Sequence, residues 1–540
     1  MRARASYQLL RPVLALAVVL GLASCSNSHS REDWRTATIL IESMPLNLDP
    51  RIGTDAFSEH VDGMIFSSLL AHDASMNIVP DLAESWEQPD PLTYIFHLRR
   101  GVKFHDGSAF TSADVKFTFD SIMSGAIKTG KRTAFRTVGS VDAPDDFTVV
   151  FHLKEPYASF LWNLTRPSVG IVRRGSGLEI AQQPIGTGPF RFVSMTVDEE
   201  IILERNNDYF GRPPSSSAAG TNQSSLAVTT PSADAGPLIQ RVRFRIVPDA
   251  TTRALELRKG SADGEINSLT PDMVATLAKQ PGIQASEQPG TVLAYIAINV
   301  DDPILAQREV RQALAFATDR DSLIRYLLRG GARPAASLLP PNHWAYEASL
   351  QQYSYDTNRA GQLLDAAGYK RGPGGVRFHL TLKTSTEEST RLLSEALADQ
   401  WKRVGVALDL RPLEFSTFYS DITHGSFQLY TYRWVGGNND PDIFEFVFSS
   451  KKMPPDGANR GHYRNPELDA LIAQERVEMD QQKRKAILSS IQKIVAEDEP
   501  YINLWYMDNE CVHAARIGDV SIPPGGDYEF LDAVHLKQSE

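Results

Sequence analysis

Two stretches of the chain alternate between apolar and polar positions with a period of two. In the first, which runs from Pro80 to Asp120, Tyr94, Phe96 and Leu98 interleave with Thr93, Ile95, His97 and Arg99 and predict a strand with a buried face. A short second strand is expected around Val102 and Phe104, then a tight turn at Asp106-Gly107. A capping box of Thr111 and Asp114 opens a helix striped by Val115, Phe119 and Ile122. In the second stretch Val376, Phe378, Leu380 and Leu382 alternate. Leu393, Ala396, Leu397, Trp401 and Val404 then recur at helical spacing, Gly405 stops the helix, and Val406, Leu408 and Leu410 alternate again. A strand, a helix and a strand in that order form a βαβ unit with parallel strands, so an α/β lobe is expected after Thr291.

Further elements follow from the same rules. Strands are predicted over Thr36–Glu42, Phe147–Leu153, Arg241–Val247 and Tyr295–Val300, and over the YINLWY string that follows Pro500. Helical spacing appears at Val61, Ile65, Leu69 and Leu70, and after Asp249, a plausible cap. Val310, Ala313, Leu314 and Ala317 stripe one helix and Leu323, Ile324, Leu327 and Leu328 the next, with Asp321 as the cap between them. Asn465-Pro466-Glu467 opens another, and Ile487, Leu488, Ile491, Ile494 and Val495 stripe the last. Ile185-Gly186-Thr187-Gly188-Pro189-Phe190 lacks the Lys-Ser/Thr of a phosphate loop, and its glycines are read as supplying positive φ where the chain crosses between lobes. The stretch 211-237 is so rich in Gly, Pro, Ser, Ala and Thr that a flexible surface insertion is expected.

Composition changes the picture in three places. Arg2, Arg4 and Arg11 precede an apolar run, Pro12–Ala23, that is shorter than the roughly 20 residues of a membrane span, so residues 1-24 read as a signal peptide. The 540 residues carry 42% hydrophobic and 22% charged side chains, enough for several domains, and a net charge of -11 argues against a nucleic-acid partner. Apart from Cys25 the only cysteine is Cys511, read as a buried thiol. No metal-ligand spacing, nucleophile motif or phosphate loop occurs, and the two closest histidines, His97 and His105, are eight residues apart. No cofactor, no metal and no catalytic residue are therefore expected.

Several strings resemble those of the family 5 extracellular solute-binding proteins, the dipeptide- and oligopeptide-binding receptors of bacterial ABC importers. They are the Pro80–Asp120 stretch, GTGPF followed by Ile202-Leu203-Glu204-Arg205-Asn206, PDATTR, VRQALAFATDR, NRGHYRNPELDALI and PYINLWY. Leu22-Ala23-Ser24-Cys25 likewise resembles a bacterial lipobox, in which Cys25 would carry the lipid. The resemblance implies an α/β, two-lobed periplasmic-binding-protein fold, type II and cluster C like, with an additional domain. Domain I would comprise 25-75, 185-290 and 501-540, domain II 76-184, and domain III, the ligand-binding α/β lobe, 291-500.

The resemblance also implies a role and a site. The chain would be a monomeric lipoprotein, exported to the periplasm or cell surface and attached to the membrane only by its lipid, that passes an oligopeptide to the permease subunits of an ABC importer. A non-peptide ligand (an oligosaccharide, an opine-like conjugate, a nickel or haem complex) is one alternative, and a surface enzyme or adhesive lipoprotein is another. In the loop Tyr432–Asp442, Trp434 either fills core or borders the pocket, and Gly436, Gly437, Asn438 and Asp440 are the accompanying candidates. Thr54, Asp55 and Phe57 either cap a helix or reach the cleft. In peptide-binding members an aspartate three residues after the tryptophan pairs with the ligand's ammonium, whereas here that position is Gly437. A ligand without strict need of a free amino terminus is therefore expected.

Overall fold

The computed structural model describes residues 35–165, 169–211, 239–436 and 439–537. The predicted signal peptide, Cys25 and nearly all of the predicted insertion at 211-237 lie outside the described residues. In chain order the first part holds β1 (Thr36–Ile41), α1 (Ala56–Ile65), β2 (Ala83–Asp90), β3 (Thr93–Leu98), α2 (Ser112–Met123), β4 (Val138–Asp145) and β5 (Thr148–Leu153). After it come β6 (Phe190–Thr196), β7 (Glu200–Arg205), β8 (Arg241–Ile246), α3 (Ala250–Lys259), β9 (Gly264–Ile266) and the 16-residue β10 (Ile283–Ile298). The remainder comprises α4 (Arg308–Phe316), α5 (Arg320–Leu327), β11 (Phe378–Ser385), α6 (Glu388–Lys402), β12 (Val406–Leu413), α7 (Phe415–Thr423) and β13 (Leu429–Trp434). It ends with α8 (Ile443–Phe448), α9 (Pro466–Glu475), α10 (Gln481–Asp498) and the 14-residue β14 (Tyr501–Ala514).

One mixed sheet runs through the molecule in the order β12-β11-β13-β10-β14-β9-β1-β8-β7-β6. A separate four-stranded sheet, β2-β3-β5-β4, forms its own unit with α2 packed on it. On β3 the predicted alternation holds: Tyr94, Phe96 and Leu98 are buried, Tyr94 against Phe160 and Phe96 against Phe151. Thr111 and Asp114 form the predicted capping box. The predicted βαβ unit also holds, since β11 and β12 pair in parallel from Phe378↔Val406 to Ser385↔Leu413. Trp401, fully buried between them, donates its indole N–H to Thr318 Oγ1 at 3.0 Å, which satisfies the one polar group of a side chain whose burial is worth several kcal/mol.

The long strands β10 and β14 pair antiparallel from Ile283↔Ala514 to Ala297↔Tyr501, with an irregularity between Pro289 and Leu293. Leu293–Ile298 and Tyr501–Tyr506 belong to the cores of the second lobe, whereas Cys511 and Val512 belong to those of the first. Between Tyr506 and Cys511 the chain therefore passes from the cores of one lobe to those of the other, and one ribbon carries both passages. Cys511 is a free, buried thiol.

Several local expectations need correction. Val102 and Phe104 form no strand; the only pairing there is an isolated bridge, Lys103 to Ala109. Helix α1 stops at Ile65, and Leu70 already lies in a strand. Asp319, not Asp321, caps α5, accepting from Ser322 N at 3.0 Å; Asp321 lies inside the first turn. Gly186 and Gly188 do not adopt positive φ. They are required by contact instead, because an added Cβ at Gly186 would lie 2.1 Å from the Ile65 carbonyl oxygen, and Gly188 N donates to that oxygen at 2.8 Å.

Candidate functional site

The sequence LYTYRW places Tyr430, Tyr432 and Trp434 on one face of β13 by simple alternation. Trp434 ends that strand opposite Leu293 and is half-buried. Its indole stacks on Tyr295 with centroids 6.0 Å apart and meets Phe446 edge-on at 6.2 Å. Tyr295 in turn stacks on Tyr501 at 4.4 Å and lies 6.1 Å from Tyr430. Arg460 enters this group, its guanidinium carbon 5.9 Å from the Trp434 ring and 5.5 Å from that of Tyr419. The arrangement is thus an aromatic basket around one buried cation. Among its polar atoms, Trp434 Nε1 and Arg460 Nε and Nη1 are buried without a hydrogen-bond partner, while the hydroxyls of Tyr295, Tyr430 and Tyr501 cluster with one another.

The loop after Trp434 turns at Gly436, whose φ of 68° is open only to glycine at low cost. Gly437 and Asn438 lie outside the described residues. Asn439 O faces His343 Nε2 at 3.1 Å. Asp440 is buried, accepting from Ser159 Oγ at 2.7 Å and from Asp442 N at 2.8 Å. Burial, with the Asp442 carboxylate beside it, pushes the Asp440 carboxyl up to about 6 against the pull of Arg484. Arg484 also meets Glu475 at 2.5 Å and donates to Ser159 Oγ at 2.7 Å, while Tyr157 donates to Asp442. Asp440 therefore belongs to a charged cluster tying the four-stranded unit, through residues 155–159, to the second lobe.

Asp55 accepts from Ser58 N at 2.9 Å as the N-cap of α1, Thr54 is exposed beside it, and Phe57 packs on the first lobe's core. No hydrogen bond, ion pair or ring contact among the described residues joins this group to Trp434 and its basket. Sequence reasoning missed Arg460, Tyr295, Tyr419 and Tyr501. The available signal was the aromatic alternation of β13 and the arginine inside NRGHYRNPELDALI. No group of three or more His, Cys, Asp or Glu that could hold a metal ion occurs among the described residues.

Residues 77–453 match the bacterial extracellular solute-binding proteins, family 5 Middle. The chain belongs to this family. It is 28% identical over 536 residues to "Heme-binding protein A" of Haemophilus influenzae, covering 91% of this chain and 93% of that one. To "Di/tripeptide-binding protein 1" of Pseudomonas aeruginosa it is 27% identical over 522 residues, with 91% and 92% covered. Among solved structures it resembles the periplasmic binding protein DppA from Helicobacter pylori in complex with peptide STSA, with 25% identity, a TM-score of 0.71, and 94% and 100% coverage. This similarity spans both lobes and the four-stranded unit, so the two-lobed α/β fold is that of the family. The family and the relatives named are binding proteins by description. No helix among the described residues is long and apolar enough to cross a membrane.

Proposed function

We propose that this family 5 protein is an importer receptor that captures an oligopeptide between two lobes and hands it to ABC permease subunits. The observation that carries the reading is the aromatic basket at Trp434, open at a strand end, in a chain similar along more than nine-tenths of its length to a di/tripeptide-binding protein. An extended peptide can pair with free backbone groups beside such a loop as an added strand, which is how one site accepts many side chains. Gly437 in place of an acid removes one anchor for a ligand ammonium. Haem is the second reading, favoured by the likeness to a heme-binding protein. Cys25 is the lipid attachment point in this proposal, and the lobes that close divide near 75, 184 and 290 and again between Tyr506 and Cys511.

The test is calorimetry and thermal unfolding with trialanine, its amino-acetylated form and haem. Peptide binding at a hundredfold excess over Kd should add about 2.7 kcal/mol of stability, and mass spectrometry should recover the peptide uncleaved. Acetylation should weaken binding by less than a hundredfold. Cleaved peptide would mean an enzyme, stabilisation by haem alone would select the second reading, and no small-ligand stabilisation would leave an adhesive lipoprotein. A Cys25→Ser variant should leave the membrane fraction after a high-salt wash; full retention there would overturn the anchor.

A further inference from the structure

Five arginines are buried among the described residues: Arg51, Arg253, Arg311, Arg460 and Arg484. Four of them are answered from within the protein. Arg51 pairs with Asp49 at 2.7 Å, and Arg484 pairs with Glu475 at 2.5 Å. Arg253 donates to the carbonyls of Val247, Pro248 and Ser268, and Arg311 to those of Leu305, Ala306 and Asp498. Arg460, 7% exposed, has neither: among the described residues no carboxylate lies within 4.0 Å of it, and its Nε and Nη1 hydrogens meet no acceptor. The phenols of Tyr430, Tyr295 and Tyr501 lie around the guanidinium, and Tyr430 is the one placed to accept from it. Burial pushes the hydroxyls of Tyr295 and Tyr501 well above the usual tyrosine range, so they remain neutral and supply no counter-charge.

A buried guanidinium with neither a counter-ion nor carbonyls for its donors is costly, and a ligand's acid would offset that cost. The approach to Arg460 carries the second sign of a ligand. Tyr419, whose ring lies against the guanidinium, is 41% exposed, and Phe446, against Trp434, is 44% exposed. Phe415, stacked on Tyr419 at 5.9 Å, is 51% exposed. Solvent-facing aromatic rings thus lead to a buried cation whose Nε and Nη1 donors are unused, and the Trp434 indole N–H beside it is unused as well.

We propose that Arg460 is the acid-binding seat of the ligand site, taking a ligand carboxylate between the Tyr419 and Trp434 rings. The inference rests on the receptor reading and adds the chemistry of one end of the ligand. A single positive charge with in-plane donors matches a planar monoanion that accepts two parallel hydrogen bonds, better than it matches a doubly charged phosphate. Aromatic walls suit a carboxylate attached to apolar or planar groups. The carboxylate can be a peptide's carboxyl terminus or belong to a non-peptide acid, and the two sources separate in the test.

The test uses the whole chain, wild type, Arg460→Met and Arg460→Lys. Trialanine and its carboxyl-terminal amide are compared by calorimetry, and phenylacetate and phenylacetamide by saturation-transfer NMR. Wild type should prefer each acid over its amide by about thirtyfold or more, the scale expected when a buried charge loses its partner. Arg460→Met should abolish the preference and Arg460→Lys retain part of it. A response to phenylacetate without trialanine binding would overturn the peptide reading and uphold Arg460 as the seat of a non-peptide acid. Peptide binding indifferent to amidation, in wild type alone, would overturn this inference and leave the receptor reading standing. No binding of either acid would overturn both.

Discussion

Arg484 and Arg460 occupy the same lobe, and both are removed from water, yet they live opposite electrostatic lives. Arg484 is surrounded by acid: Glu475 at 2.5 Å, Asp442 at 3.7 Å, and Asp440 through Ser159. Negative charge is in excess there, so burial together with the two aspartates holds the Glu475 carboxyl up at about 8 despite the guanidinium. Arg460 is surrounded by rings and finds no acid. A buried charge answered by its own chain is architecture; one left unanswered beside exposed aromatics is a place for a ligand. The difference assigns stability to the first arginine and recognition to the second.

The sharpest way to break the comparison is Arg484→Met. It would strand Glu475, Asp440 and Asp442 together in the join between the four-stranded unit and the second lobe. Removing one partner of a buried ionic group costs about 3–5 kcal/mol, to be read from the urea midpoint at constant slope. A loss under about 1 kcal/mol would show that the cluster is wet and the join loose.

His343 sharpens it through pH. It is buried between Asn439 O, on the candidate loop, and the positive charges of Arg484 and Lys485. Burial, outweighing the hydrogen bond to Asn439, lowers its pKa from 6.5 to about 4, and burial does the same for His60 and His105. A histidine whose folded pKa is depressed supports the fold fully above pH 6.5 and withdraws that support as pH falls towards 4. At about 1.4 kcal/mol per pH unit each of the three contributes about 3 kcal/mol. His343→Gln should therefore remove about one third of the loss of stability that these three histidines cause between pH 6.5 and 4. An unchanged pH slope would mean that the ring is hydrated.

A smaller effect tests how the lobes are joined, and it shows where the sequence was opaque. The βαβ unit at 378–413, the β3 alternation and the caps at Thr111, Asp249 and Asn465 were legible because each is set by residues within a few positions of one another. Two aspartates at 319 and 321 fit one helix start, and spacing could not rank them. Gly186 was read as a φ position, whereas its constraint is the backbone of Ile65, far away in sequence. Gly186→Ala should cost about 1–3 kcal/mol, the usual penalty of overpacking, whereas a purely conformational glycine with φ below zero would tolerate alanine. The basket was opaque for the same reason. Arg460 is buried by Tyr295, Tyr419, Tyr430 and Tyr501, which come from four separate elements, and no local pattern announces that meeting.

The smallest expected effect decides the comparison. Arg460→Met exchanges an unanswered cation for an apolar side chain of similar length. The variant loses the ring contacts, worth about 0.5–1 kcal/mol at sites of this kind. It also sheds the desolvation cost of a charge that nothing neutralises, and replacing buried ionic groups with apolar ones is often neutral or stabilising. The two contributions oppose, so the urea midpoint should move by less than about 1 kcal/mol in either direction, while Arg484→Met in parallel samples falls by at least about 3 kcal/mol. Equal losses in the two variants would mean that Arg460 is held by its phenols as firmly as Arg484 is by its acids, and the distinction between architecture and recognition would fail at its root. A silent Arg460→Met that has lost its preference for carboxylate over amide would place the residue on the side of recognition, because nothing else in the fold would register its absence.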